Sequence, residues 1–103
     1  MASTIKTWVM KVKPGRIDDA MELFRETKKS ADGAEISLLY AESAGDFSGS
    51  FLLSAEYPSA AAAGEAEDKT ASTESGQALW RKFNDADSPV EATGTVTYTS
   101  VDL

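Results

Sequence analysis

The sequence predicts an α+β fold, a two-layer sandwich with helices against one face of a four-stranded antiparallel sheet. Three observations carry this. Residues 5–13 and 50–57 hold apolar side chains on both strand faces, as strands in the middle of a sheet do. Residues 16–31 and 60–87 carry helical spacing instead. Residues 90–101 alternate over a long run, the pattern of a half-buried strand.

The first strand is read over 5–13. Trp8, Met10 and Val12 share one face, and Ile5, Thr7 and Val9 the other. Pro14-Gly15 stops it, since proline has no ladder N–H and glycine frees the turn. A helix follows over 16–31, with Ile17, Ala20, Met21, Phe24 and Ala31 at helical spacing. Asp18 and Asp19 lead it and Lys28 and Lys29 trail it, an order that complements the helix dipole. Asp32-Gly33 is the predicted stop.

Strands are expected over 35–43 and 50–57, joined by a hairpin connection at 44–49 that contains Gly45, Asp46 and Gly49. Pro58 closes the second strand, and Ser59 is a candidate helix cap. The next helical region divides in two. Residues 60–69 are rich in Ala and Glu, with Gly64 as a weak point. Ser72 is a candidate cap for the second piece, where Gly76, Leu79, Trp80 and Phe83 form an apolar stripe. Residues 84–89 make the exit turn. In the last strand, Val90, Ala92, Gly94, Val96 and Tyr98 are expected on one face and Thr93, Thr95, Thr97 and Thr99 on the other.

The order strand, helix, strand, strand, helix, strand is the split βαβ, or ferredoxin-like, plan. Right-handed crossovers put the first and third strands in the centre and the second and fourth at the edges. At 103 residues, one domain spans 1–103. Helices on one face leave Ile5 and Val9 on the other, and the last strand leaves a long open edge. A homodimer that packs sheet against sheet answers both, so a homodimer is expected.

Composition narrows the chemistry. The chain has no cysteine and no histidine, which removes disulfides, thiolate nucleophiles, imidazole bases and the usual zinc and haem ligands. Residues 1–40 carry seven basic and six acidic side chains, and residues 41–103 carry three and eleven. An acidic surface repels phosphate backbones, so nucleic acid is not an expected partner. No apolar run reaches the roughly 20 residues that span a bilayer, and no signal peptide is read. Neither membrane nor export is expected, and cytoplasm is the predicted location. No metal and no cofactor is expected. Asp18, Asp19 and Glu22, and Glu65, Glu67 and Asp68, read as solvated helix faces. Asp85-Ala86-Asp87 lacks the sixth-position Gly and twelfth-position Glu of a calcium loop.

Val12-Lys13-Pro14-Gly15-Arg16 followed by Ile17-Asp18-Asp19-Ala20-Met21-Glu22-Leu23-Phe24 resembles the first strand-to-helix passage of the dimeric α/β-barrel superfamily. Glu56-Tyr57-Pro58-Ser59, the Ala-rich helix and Gln77-Ala78-Leu79-Trp80 are similar to the second half of its NIPSNAP-like and antibiotic-biosynthesis-monooxygenase-like members. The resemblance spans nearly the whole chain and rests on loose patterns of strand, turn and helix. It implies a homodimer with a pocket between helices and sheet in each subunit. Haem-dependent members use a proximal His and some cofactor-free ones a pocket His, neither of which this chain possesses.

Candidate site residues follow from residue type and placement. Trp8, Tyr40, Phe51, Tyr57 and Trp80 are aromatic side chains that could line a pocket for a flat or apolar molecule. Arg16, at the first helix start, could meet a carboxylate at its mouth. Glu56 and Tyr57 are the candidates for acid–base work. The leading expectation is a homodimer that binds a small apolar or aromatic molecule. One alternative is a cofactor-free monooxygenase or isomerase, as the resemblance implies; another is a dimerisation module with no ligand.

Overall fold

The computed structural model describes residues 3–31, 33–43, 45 and 48–103. The elements run β1 (Thr4–Val12), α1 (Ile17–Ser30), β2 (Glu35–Ala41), β3 (Ser50–Tyr57), α2 (Ala60–Ser72), α3 (Glu74–Asn84) and β4 (Val90–Thr99). The strands form one antiparallel sheet in the order β2-β3-β1-β4. The two strands with apolar residues on both faces are the central ones, and the ferredoxin-like α+β plan stands.

Register decides which side chains meet. Trp8 lies opposite Leu53 and Thr95, and Leu53 opposite Leu38. These residues face the helices, because Met10, Leu53 and Val90 join Ala20, Leu23 and Phe24 of α1 in the main core, with Trp8, Leu38 and Phe51 packed against it. Ala20, Leu23 and Phe24 sit at the i, i+3, i+4 spacing that turns them to one side of α1. Truncating Leu53 or Phe24 to alanine would cost about 2–5 kcal/mol, the usual loss for a large core side chain. A second cluster, Ala55, Tyr57 and Ala63, lies under α2.

Several sequence expectations move. Ser59 caps α2, its side chain accepting the Ala62 N–H at 3.1 Å. The α2–α3 boundary is capped by Thr73 and not Ser72: Thr73 accepts from the Gly76 N–H through Oγ1 and donates its own N–H to the Lys69 carbonyl. α1 closes at Ala31, whose N–H donates to Thr27 O; Gly33 follows in the left-handed region, and Asp32 lies outside the described residues. Ala44, Asp46 and Phe47 of the predicted hairpin connection also lie outside them.

The largest correction concerns β4. Its pairing with β1 shifts between Val9 and Met10: Met10 faces Ala92, Val9 faces Gly94, and Thr93 is left over. That extra residue is a β-bulge. Val90 and Ala92 therefore lie on the helix side, while Gly94, Val96 and Tyr98 lie on the opposite side beside Val9, Thr7 and Ile5. The Thr93 hydroxyl donates to the Val9 carbonyl at 3.2 Å. Val9, expected to be exposed on the open face, is only 1% exposed; it is flanked in register by Leu52 and Gly94 in the middle of the sheet.

Candidate functional site

Period-two alternation puts Thr4, Lys6, Trp8 and Met10 of β1 on the helix side, next to Tyr57, Ala55, Leu53 and Phe51 of β3. Within this surface Trp8 packs against both hydrophobic clusters and so occupies their junction. Around the Tyr57 end the wall consists of small residues, Ala55 of β3 and Ala62, Ala63 and Ala66 of α2. Phe51 continues the surface toward the edge of the sheet. It tilts against Phe24 at 5.8 Å between centroids and against Tyr40 at 5.1 Å, separations at which aromatic pairs attract.

Two donors in this surface make no protein hydrogen bond among the described residues, the Trp8 indole N–H and the Tyr57 hydroxyl. Burial raises the Tyr57 phenol above its ordinary value of 10.0. The cause is desolvation, which disfavours the phenolate. At neutral pH Tyr57 can therefore give a hydrogen bond or a proton and cannot serve as a base.

Lys6 is the residue that the sequence reading did not single out. Its side chain is 19% exposed and pairs with Glu67 of α2. It stands two residues before Trp8 on the same face, so the parity that placed Trp8 inward also placed a lysine there. Across β4, Thr95 lies opposite Trp8 and Thr97 opposite Lys6. Both are exposed, as is Thr99. The helix layer thus stops short of this edge and leaves the Lys6–Trp8 strip open on one flank.

The other predicted site residues lie elsewhere. Glu56 and Tyr57 are adjacent in an extended strand and point to opposite sides of the sheet: Tyr57 is buried under α2, while Glu56 is exposed on the open face beside Ile5. They cannot act on one bound molecule. Trp80 is 65% exposed on α3, whose inward contacts come from Leu79 and Phe83. Arg16 holds the chain together: Nε donates to Asp19 Oδ2 at 2.7 Å and Nη1 to the Asp87 carbonyl at 3.2 Å. Lys13 Nζ donates to the Ala86 carbonyl at 2.9 Å and completes that tie to the turn before β4. Nearby, a cleft of about 300 Å³ between α1, α3 and the turn is lined by Asp19, Glu22, Glu26, Lys82, Asp85 and Asp87, among others. It is acidic and open, and Lys82 already bridges it to Glu26 at 2.8 Å.

The arrangement defines a class before it defines an activity: a helix-backed antiparallel sheet with an aromatic strip between the layers. The chain has the ferredoxin-like fold of antibiotic-biosynthesis-monooxygenase-like proteins. A solved structure from Chloroflexus aurantiacus J-10-fl, provisionally named an antibiotic biosynthesis monooxygenase, matches with a TM-score of 0.63. The match covers 97% of this chain and 94% of that one at 13% sequence identity. A second, from Deinococcus radiodurans and named in the same provisional way, matches with a TM-score of 0.62 at 11% identity, over 100% of this chain and 95% of that one. At these identities the likeness is one of fold. No family model matches the chain, and no curated protein matches its sequence. No helix among the described residues is long and apolar enough to cross a membrane.

Proposed function

We propose that the protein is a homodimer, working in the cytoplasm, that binds a small apolar or aromatic molecule between its helices and sheet, at Trp8, Tyr57 and Phe51. One observation carries the reading: the Trp8 N–H and the Tyr57 O–H make no protein hydrogen bond among the described residues and are not sealed from solvent, in a strip walled mainly by apolar and alanine side chains beside the Lys6–Glu67 pair. Small-molecule sites combine an apolar wall with a few placed polar groups. Alanines at 55, 62, 63 and 66 keep this part of the helix–sheet layer thin in side-chain volume, with Lys6 and Glu67 as the long side chains beside it.

Native mass spectrometry of freshly purified protein tests this directly. A dimer mass with a retained adduct is expected, and Trp8→Phe, which keeps the apolar ring and removes the donor, should lower adduct occupancy. A bare dimer that also fails to bind a panel of hydroxylated aromatics would overturn the reading and leave a dimerisation module without a ligand.

The fold likeness favours a second reading, a cofactor-free monooxygenase or isomerase at the same strip. In it Tyr57 donates a proton to the bound molecule, and Glu56, on the far face, takes no part. Turnover that is lost in Tyr57→Phe and kept in Glu56→Gln is the expected pattern; the reverse would refute this assignment.

A further inference from the structure

The sheet face turned away from the helices carries a charge pattern that sets how a second copy sits on it. Four register rows cross this face. At one end lie Glu35, Glu56, Ile5 and Tyr98, then Ser37, Ser54, Thr7 and Val96, then Leu39, Leu52, Val9 and Gly94. At the other end Lys11 stands opposite Glu91. The middle is dry in character: Leu39 is 60% exposed, Leu52 and Val96 are half-buried, and the Thr7 and Ser54 hydroxyls satisfy each other at 2.8 Å. Tyr98, in the first row, is 50% exposed.

The ends differ. Glu35 and Glu56 face each other across β2 and β3, a like-charge pair of the kind that weakens a sheet. Both are exposed, and neither has an ion-pair partner among the described residues. Lys11 is likewise exposed, and among the described residues it makes no ion pair even with Glu91 opposite. The face thus presents an uncompensated double acid at one end and, at the other, an unengaged lysine beside the single acid Glu91.

Two symmetric ways of stacking this face on its copy follow. With the two-fold axis parallel to the strands, like ends meet, and four carboxylates gather without a cation. With the axis in the plane and across the strands, each acidic end meets the partner's Lys11 end. Packed sheets lie about 10 Å apart and neighbouring strands about 4.8 Å, so Lys11 on β1 and Glu56 on the partner's β3 are separated by a diagonal of about 11 Å. A lysine and a glutamate reaching toward each other close that gap.

We infer that the dimer is head-to-tail, with Lys11 of each copy paired to the Glu35–Glu56 end of the other. This rests on the dimer proposed above and adds its orientation and its determinants. Electrostatic complementarity of this kind fixes register and rejects the wrong arrangement.

The test is sedimentation analysis of the full chain at low and moderate salt, with folding checked by circular dichroism. Wild type is expected to dimerise. K11E, which gathers three acids at each end of the dimer, should weaken association about ten-fold or more; E56K, which leaves Glu35 beside the new lysine, should weaken it less, and the double variant K11E/E56K should associate more tightly than K11E. Because the chain has no cysteine, crosslinking reads the orientation independently: K11C mixed with E56C should join through a short bismaleimide, and E56C alone should not. A monomeric wild type removes the dimer itself. A dimer indifferent to both charge reversals, or one in which E56C crosslinks to itself, keeps the dimer and overturns the head-to-tail inference.

Discussion

Two glycines lie inside helices of this protein, and the same substitution at each is expected to act with opposite sign. Gly64, in α2, has no atom within 4 Å of the position a Cβ would take. Gly64→Ala should therefore collect the ordinary helix-propensity gain, about 0.8–1 kcal/mol. At Gly76, in α3, an added Cβ would lie 2.5 Å from the Thr70 carbonyl oxygen, 2.7 Å from the Thr70 Cα and 2.8 Å from Thr73 Oγ1. Two of these three atoms are backbone and cannot swing aside. The joint between α2 and α3 must open to admit a methyl group, at the usual overpacking cost of about 1–3 kcal/mol, and Thr73 loses its cap to the Gly76 N–H, worth about 1 kcal/mol more. Set against the same propensity gain, Gly76→Ala should destabilise by about 1–3 kcal/mol. In a domain of this length that lowers the thermal midpoint by roughly 4–8 °C per kcal/mol, whereas Gly64→Ala raises it. Urea unfolding followed by circular dichroism measures both. Equal stabilisation by the two substitutions would show that the α2–α3 joint is not held by this close approach.

Three further outcomes follow from residues already placed. The tyrosinate absorbance that is lost in Tyr57→Phe should appear only above pH 10.0 in an alkaline ultraviolet titration, because burial raises that phenol. Its folded pKa is raised, so its contribution to stability is complete below about pH 10 and is lost as pH rises through the raised value; Tyr57→Phe should flatten the alkaline loss of urea midpoint, and an unchanged slope would refute the link. Thr73→Ala should cost about 0.5–2 kcal/mol by removing the α3 cap, and a change below 0.3 or so would mean water replaces the hydroxyl. Acrylamide should quench Trp80 far more than Trp8; Trp80→Phe should leave a blue-shifted emission that ligands perturb, and strong residual quenching would contradict the packing of Trp8 against both clusters.

How much of this was readable from the chain depended on whether strict parity held. The central strands declared themselves because Phe51-Leu52-Leu53, and Trp8-Val9-Met10, can be apolar in succession only where both faces are covered. Parity also contained the Lys6 result, two residues from Trp8, and the separation of Glu56 from Tyr57. Those inferences were available from β1 and β3 alone. In β4 it failed, because an inserted residue inverts every later side chain. The one local signal was glycine at 94 directly after a threonine, the kind of position at which strands bulge. Trp80 misled for a different reason. It belongs to the same stripe by spacing as Leu79 and Phe83, but α3 has no buried residue, and it is Leu79 and Phe83 that pack against the core. The ties from Arg16 and Lys13 to 86–87 join groups some 70 residues apart, which no local pattern encodes.

The unpaired threonine in β4 makes one strand serve two masters. Before it, Val90 is held to the demands of the core, where volume is strictly limited; after it, Val96 and Tyr98 answer only to whatever meets the outer face. Mutations in the two halves are thus decoupled by a single residue, so the outer surface can drift in character without disturbing the interior. Removing that residue would leave Gly94 directly after Ala92 in plain alternation, with Val96 and Tyr98 still outward and Thr95, Thr97 and Thr99 still toward the helices. What the extra residue changes is the count and not the face, so relatives that lack it should carry their apolar outer residues at positions of the opposite parity.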